Sequence, residues 1–300
     1  MRVAVIDLGS NSVILSIAER INNHIKALYE ESIITRIGRN IEKHRNLNPD
    51  SRNNTIDVLK KYKEIADNLV VDIIICFATD ALRDAEDSQD FLDEVYEKTG
   101  IEIKIISGEE EAELTFYSVK IEFGDICNKF FSIDAGGGSV ELANGTDKNI
   151  EFANSLKIGA VRIKNKFRIQ DNIDHNTFVE VNRFIKSQLP KIIIDDGYLT
   201  VATGGTITTL QAINLGLEKF EHEKVHKSKI TYEQMRILFD YLNRITFTER
   251  LNIPCLDPGR ADIIHIGALI FLSIMEKYNI KNMFVSNRGV RWGFIYKLLD

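Results

Sequence analysis

Two short runs of this chain carry the residue types that hold a phosphate, and they share one pattern. The first is Ile6-Asp7-Leu8-Gly9-Ser10-Asn11-Ser12-Val13-Ile14-Leu15. The second, 127 residues later, is Ile133-Asp134-Ala135-Gly136-Gly137-Gly138-Ser139-Val140-Glu141-Leu142. Each follows an apolar, β-branched run and leads into an alternating one, which reads as strand, tight turn, strand. Glycine lets turn backbone approach a ligand and aim its N–H groups at it. The serine hydroxyl adds a donor, and an aspartate closing the first strand can hold a hydrated cation that neutralises the phosphate. Ser10, Asn11, Ser12, Gly136, Gly137, Gly138 and Ser139 are therefore candidate phosphate ligands. Asp7, Asp134 and Glu141 are candidate metal ligands. Two such hairpins suggest two related domains facing each other across a phosphate-filled cleft.

Two further turns fit the same chemistry. Thr203-Gly204-Gly205-Thr206-Ile207 lies between a strand ending at Ala202 and an apolar helical stretch. A helix N-terminus after a Gly-Gly turn offers free N–H groups and the positive end of the dipole, which nominates Gly204, Gly205 and Thr206. Asp257-Pro258-Gly259-Arg260-Ala261-Asp262 opens a helix and presents an arginine. Each turn alone reads first as a tight turn with an N-cap; together with the repeat they favour a nucleotide or polyphosphate ligand. Arginine fits phosphate oxygens with a planar fork. Arg83, in Ala78-Thr79-Asp80-Ala81-Leu82-Arg83, is the foremost candidate. Arg36, Arg39, Lys157, Arg162, Arg288 and Arg291 also border glycines.

The elements that must position these residues alternate between strand and helix. Strands are expected at 2–7, 12–19, 26–33, 72–77 and 101–106, and helices at 55–68, 91–98 (stopped at Gly100) and 107–123, the last opened by a capping box from Ser107 to Glu110. The second half restarts with a hairpin at 129–144, has strands at 192–201 and 281–286, and has helices at 174–189, 231–244, 260–278 and 289–299. A capping box from Thr231 to Gln234 opens the second of these helices. The class is α/β, with a boundary near Gly124-Asp125 giving domains 1–124 and 125–300, the first joined by the terminal helix 289–300. The apolar helix at 260–278 is expected in the core.

Composition narrows the class. At 300 residues, 44% apolar and 27% charged, the chain suits two soluble domains. A net charge of −6 argues against nucleic-acid binding. Cys76, Cys127 and Cys255 are too few and scattered for a disulfide framework or zinc site, which suggests a reducing compartment. The N-terminus opens on a strand pattern and not a signal peptide, and no run spans a bilayer, so the expectation is cytoplasmic with no membrane partner.

These segments resemble the exopolyphosphatase and guanosine pentaphosphate phosphohydrolase family, within the superfamily of actin, sugar kinases and heat-shock chaperones. The match runs nearly end to end. It includes Asp7 to Ser12, Ala78 to Arg83, Ile106-Ser107-Gly108-Glu109-Glu110-Glu111-Ala112, Asp134 to Leu142, Ser155 to Arg162, Gly204 to Thr206, Asp257 to Asp262 and Ser286 to Gly293. The resemblance implies two ribonuclease-H-like (actin-like ATPase) domains, a homodimer, and release of terminal phosphate from polyphosphate or pppGpp with Mg²⁺ and a monovalent cation such as K⁺. It implies Glu111 as the catalytic base. The residues alone leave that open, because a first-turn acid also suits the helix dipole. Expected roles are N–H groups of Gly136 to Ser139 with Ser10 and Asn11 on the transferred phosphoryl, Asp7 and Asp134 on the metal, and Arg83 on phosphates further along.

Departures from the family pattern set further expectations. Val140 stands where the family has threonine, removing a hydroxyl near the phosphates. Asp87 stands where it has asparagine, adding a carboxylate that weakens polyanion binding. Val13-Ile14 replace residues that are aromatic or basic in long-chain-active members. The chain also ends where longer members continue into a helical region, which favours short chains or a nucleotide. Two other readings stand beside hydrolysis: an ATP-dependent kinase of the same superfamily, for which no acceptor motif is visible, and a non-catalytic sensor of alarmone or polyphosphate.

Overall fold

A computed structural model describes residues 1–22 and 24–299, with the backbone alone at Glu42. The chain divides into unit 1, Met1–Leu114 with Val290–Asp300, and unit 2, Thr115–Gly289.

In unit 1, β1 (Arg2–Leu8), β2 (Ser12–Ile21) and β3 (His24–Ile34) form an antiparallel meander. The helices α1 (Ile41–His44) and α2 (Pro49–Asn68) follow, then β4 (Ile73–Ala78), α3 (Asp80–Asp84), α4 (Ser88–Thr99), β5 (Ile103–Ile105) and α5 (Gly108–Phe123). The sheet order is β3-β2-β1-β4-β5, with β4 and β5 parallel to β1. Asn48 caps α2 by accepting the Ser51 N–H at 3.1 Å, and Pro49 fills the first helical position. That cap starts the helix six residues before its apolar periodicity does. Gly100 ends α4 in the left-handed conformation, φ 69°.

Unit 2 repeats the topology. β6 (Lys129–Ala135), β7 (Val140–Thr146) and β8 (Ile150–Leu156) form the meander, followed by α6 (Ala160–Lys166), α7 (His175–Gln188), β9 (Leu199–Thr203), α8 (Gly204–Asn214) and α9 (His222–Val225). Then come β10 (Lys229–Thr231), α10 (Tyr232–Arg244), α11 (Phe247–Arg250), a 3₁₀ turn at Pro258–Arg260, α12 (Ile264–Lys277) and β11 (Asn282–Val285). The order β10-β11-β9-β6-β7-β8 contains the arrangement of unit 1, with β10 added at the edge. Both sheets are thus ribonuclease-H-like. The helix α13 (Val290–Leu299) returns to unit 1 and packs on β1 and β2, and its Phe294 meets Phe77 of β4 at 4.9 Å between ring centres.

Several elements differ from the sequence expectation. The division falls inside α5, not at Gly124: Glu111 and Leu114 belong to unit 1, whereas Phe116 and Phe123 meet Phe130 and Phe284 of unit 2 edge-on. A helix shared by two cores has no breaker for the sequence to show. β8 was not anticipated, because Ile150–Leu156 is only partly buried and lacks a clean alternation. The β-branched run Ile192–Ile194 is not in the sheet; Asp195 binds the Gly197 N–H at 2.8 Å, and β9 begins only at Leu199 after that turn. The box at Thr231 is complete in both directions. The one at Ser107 is half-made: its hydroxyl accepts the Glu110 N–H at 3.0 Å, but the Glu110 carboxylate pairs with Lys104.

α12 is buried from Ile264 through Met275, so it is core. Among its residues, His265 is fully buried. Burial, then the nearby Arg250 guanidinium, push its pKa from an ordinary 6.5 to about 3. Between those values the unfolded chain binds a proton that the folded chain does not. Stability from this group is complete above pH 6.5 and is lost as pH falls toward 3. Urea midpoints measured from pH 7.5 to 4.5 are expected to fall across this window in the wild type, and to fall less in His265→Leu.

Among the described residues no helix is long and apolar enough to cross a membrane.

Candidate phosphate and metal site

The two hairpins are built alike. Gly9 N–H donates to the Ser12 carbonyl at 3.0 Å, and Gly136 N–H to the Ser139 carbonyl at 3.0 Å. In unit 1 the next segment ties back the turn carbonyls: Thr35 and Arg36 donate to Asn11 O at 3.1 and 3.0 Å, and Gly38 donates to Ser10 O at 2.9 Å. In unit 2 the start of α6 does the same. Gly159 donates to Gly138 O at 3.1 Å, Ala160 to Gly136 O at 3.1 Å and Val161 to Gly137 O at 2.8 Å. A turn whose carbonyls are held on one side presents its N–H groups on the other. The N–H groups of Asn11, Gly137 and Gly138 belong to peptides whose carbonyls are held in this way, and these three and the Ser10 N–H have no backbone acceptor among the described residues.

Small residues make these approaches possible. A methyl group on Gly38 would lie 2.9 Å from Ser10 Cβ and 3.2 Å from Ala81 Cβ, and one on Gly159 would run into the Gly137–Gly138 peptide. Gly204 opens α8 at φ +90°, and a side chain there would strike the Asp134 carboxylate.

Sheet register places the acids. At the end of β6 one row runs Thr203 (β9), Asp134 (β6), Glu141 (β7), Ser155 (β8), all on one face. Thr203 Oγ1 donates to Asp134 Oδ2 at 2.8 Å, and Ser155 Oγ donates to Glu141 Oε1 at 2.6 Å. Thr203 and Ser155 stand in the sequence motifs, but only the register shows that they orient the two acids. In unit 1 the corresponding row is Phe77, Asp7, Ile14, Ser32, with a single acid. Asp7 Oδ2 accepts from Arg291 Nη1 of α13 at 3.4 Å.

Two neighbouring carboxylates, each oriented by a hydroxyl, make an all-oxygen donor set suited to a hydrated divalent cation. Mg²⁺ commonly uses one or two carboxylates and leaves its other positions to water and phosphate. No group of three or more His, Cys, Asp or Glu able to cage a metal occurs among the described residues. Asp134 and Glu141 therefore fit Mg²⁺ shared with a ligand.

Glu111 is buried in the first turn of α5, and its Oε2 accepts from Arg83 Nη1 at 3.0 Å. The same Arg83 nitrogen reaches the Ile106 carbonyl at 2.9 Å. The two foremost candidates of unit 1 thus form an ion pair. Ser10 Oγ reaches the buried Asp80 at 3.4 Å, a partner that no spacing rule flags. Ser12 starts β2, and its carbonyl is used by Gly9. In unit 2 the Arg260 guanidinium lies against Gly205 at the start of α8, and Thr206 packs its methyl against Gly267 of α12. Buried Arg250 holds the loop under Arg260 by donating to the Ala261 carbonyl at 2.8 Å, and Lys164 of α6 pairs with Asp262 at 2.6 Å. The hairpin of unit 2, the Gly204–Thr206 turn and the Arg260 loop are thereby linked within one unit. Arg288 is engaged by Glu122.

Two departures read differently in three dimensions. Val140 is fully buried in the unit 2 core, so it does not subtract a hydroxyl from the phosphate face. Asp87 accepts the Leu47 N–H at 2.9 Å and pairs with Arg52 at 3.4 Å, so its charge is met locally.

The model of the Ppx/GppA phosphatase family matches residues 16–300. The chain belongs to that family. It is 31% identical over 97% of its length to the bifunctional 3-dehydroquinate synthase/phosphatase of Fusobacterium nucleatum, and spans 46%, about half, of that curated relative. Exopolyphosphatase 1 of Mycobacterium tuberculosis is 27% identical, covering 100% of this chain and 89% of that protein. The crystal structure of the Aquifex aeolicus Ppx/GppA family member superposes with a TM-score of 0.85 at 31% identity, over 100% of this chain and 97% of that one.

For this Ppx/GppA chain the tied-back turns give a direct test. Gly159→Ala is expected to cost on the order of 1–3 kcal/mol of stability through overpacking. It should also weaken tripolyphosphate binding by calorimetry, whereas Gly216→Ala, where a side chain meets open space, should leave binding alone.

Proposed function

We propose that this protein is a phosphohydrolase that releases terminal orthophosphate from phosphoric anhydrides, with inorganic polyphosphate as the foremost substrate. The observation that carries the reading is the pair of repeated hairpins whose carbonyls are tied back and whose N–H groups are turned outward. Exopolyphosphatases among the relatives support polyphosphate. pppGpp ends in the same anhydride and is the second substrate to test.

In this reading Glu111 is the general base that orients and deprotonates the attacking water for in-line displacement. In the resting chain Arg83 holds the Glu111 carboxylate, and the Ile106 carbonyl fixes Arg83. An arriving phosphate competes for the same guanidinium, so substrate would release Glu111 for its role as base. N–H groups of Gly137 and Gly138 in unit 2, and those of Ser10 and Asn11 in unit 1, would each hold phosphate oxygens, the kind of contact that stabilises charge in the transition state. The Gly204–Thr206 turn with Arg260 would take phosphates further along. Asp134 and Glu141 of unit 2 would hold Mg²⁺, and Asp7 of unit 1 would take a hydrated cation through water; when bound, the ion neutralises phosphate charge.

Phosphate release with Mg²⁺ should be compared on long polyphosphate, tripolyphosphate, pppGpp, ATP and a simple phosphate monoester. Release from the anhydrides and little from the monoester is the expected result. Glu111→Gln should fold normally by circular dichroism and lose roughly 10²–10⁴-fold in rate. A folded Glu111→Gln protein with near-normal release would overturn the assignment of the base. Binding of these compounds without turnover would favour a sensor.

A further inference from the structure

Asp7 takes part in a chain of hydrogen bonds that is fully buried at Ser16 and Trp292. Arg291 Nη1 donates to Asp7 Oδ2 at 3.4 Å, and Arg291 Nε donates to Ser16 Oγ at 2.9 Å. Ser16 passes its own proton to Glu30 Oε1 at 3.1 Å, and the Trp292 indole N–H donates to the same oxygen at 3.1 Å. The directions are fixed: an arginine and an indole only donate, a carboxylate only accepts, and the serine does one of each.

Register makes this chain a feature of the fold. Ser16 lies opposite Val5 on β1 and Glu30 on β3. Residues two apart on a strand share a face, so Asp7, Ser16 and Glu30 all point to the side of the sheet that α13 covers. Arg291 and Trp292 are consecutive on α13 and reach two different points of that face. Ser16 and Trp292 are each only 1% exposed. Side-chain exposures at the Asp7 end are 14% for Arg291 and 13% for Asp7. The fork of Arg291 spans Asp7 and Ser16 at once, which the single ammonium of a lysine does not reproduce.

We infer that Arg291 is a positioning residue for Asp7, joined through Ser16 and Glu30 to Trp292, so that the chain's one tryptophan reports what Asp7 holds. The inference rests on the reading that Asp7 belongs to the phosphate and metal site. An arginine within reach of Asp7 opposes direct binding of a divalent ion by that carboxylate, in keeping with a contribution through water. When a cation or phosphate draws on Asp7, Arg291 shifts its share of bonding toward Ser16. The change then passes to Glu30 and to the indole. Trp292 is the only tryptophan in the chain, so its emission needs no engineering to be read.

The test is tryptophan emission of the full chain titrated with Mg²⁺ alone and with Mg²⁺ plus inorganic phosphate, in wild type, Asp7→Asn, Ser16→Ala and Arg291→Lys, beside phosphate release from tripolyphosphate. Thermal melts confirm folding, and Ser16→Ala removes the hydroxyl that accepts from Arg291 Nε and donates to Glu30, leaving the Asp7 and Arg291 side chains themselves unaltered. Wild-type emission should shift saturably, and the shift should vanish in all three variants. Arg291→Lys should also move the Mg²⁺ concentration that half-saturates phosphate release and lower release on the order of 10–100-fold, as loss of an orienting partner does. An unresponsive wild type, or a wild-type response in Ser16→Ala and Arg291→Lys, would overturn the inference. A responsive relay with no release from any anhydride would instead overturn the proposed function and leave the relay standing.

Discussion

The backbone carbonyls of two four-residue turns are the constraint on which the rest depends. Gly9–Ser12 and Gly136–Ser139 are held from behind by N–H groups of the following segment, residues 35–38 in unit 1 and 159–161 in unit 2. A peptide group cannot turn its carbonyl one way without turning its N–H the other. Once the carbonyls are spoken for, the outward N–H groups can be satisfied only by water or an anion. The glycines at 38 and 159 exist to let the holding segment come close. The strand pairing on either side exists to keep the turn from relaxing.

Charge is arranged around these turns in pairs. Asp7 has Arg291, Glu111 has Arg83 and Asp87 has Arg52. Asp134 and Glu141 accept from the hydroxyls of Thr203 and Ser155. The topological repeat does not place its acids alike: Ile14 occupies in β2 the place that Glu141 occupies in β7. A repeat that placed acids symmetrically would put more negative charge beside a polyanion. The net charge of −6 therefore says little about the site.

Much of this was legible in the sequence. The hairpins, the helix opened at Ser107, the Gly-Gly turn and the buried helix at 264–277 all follow from local signals: glycine in turns, caps and apolar periodicity. What was not legible depends on partners far along the chain. The sharing of α5 between two cores leaves no mark on its composition. The orientation of Asp134 by Thr203 is a fact of strand register, as is the pairing of Ser16 with Glu30. Val140 and Asp87 looked like losses at the site, but one lies in the core and the other is held by Arg52; a single sequence cannot show which face of a strand a residue occupies.

The central claim concerns four backbone amides, so it is best tested on those amides. Assigned ¹⁵N–¹H spectra of the Glu111→Gln protein with Mg²⁺ would be recorded as tripolyphosphate is added. The account predicts that the N–H signals of Ser10, Asn11, Gly137 and Gly138 move downfield together and that their hydrogen exchange slows. If these four stay in place while other amides carry the change, the phosphate sits elsewhere and the account is contradicted.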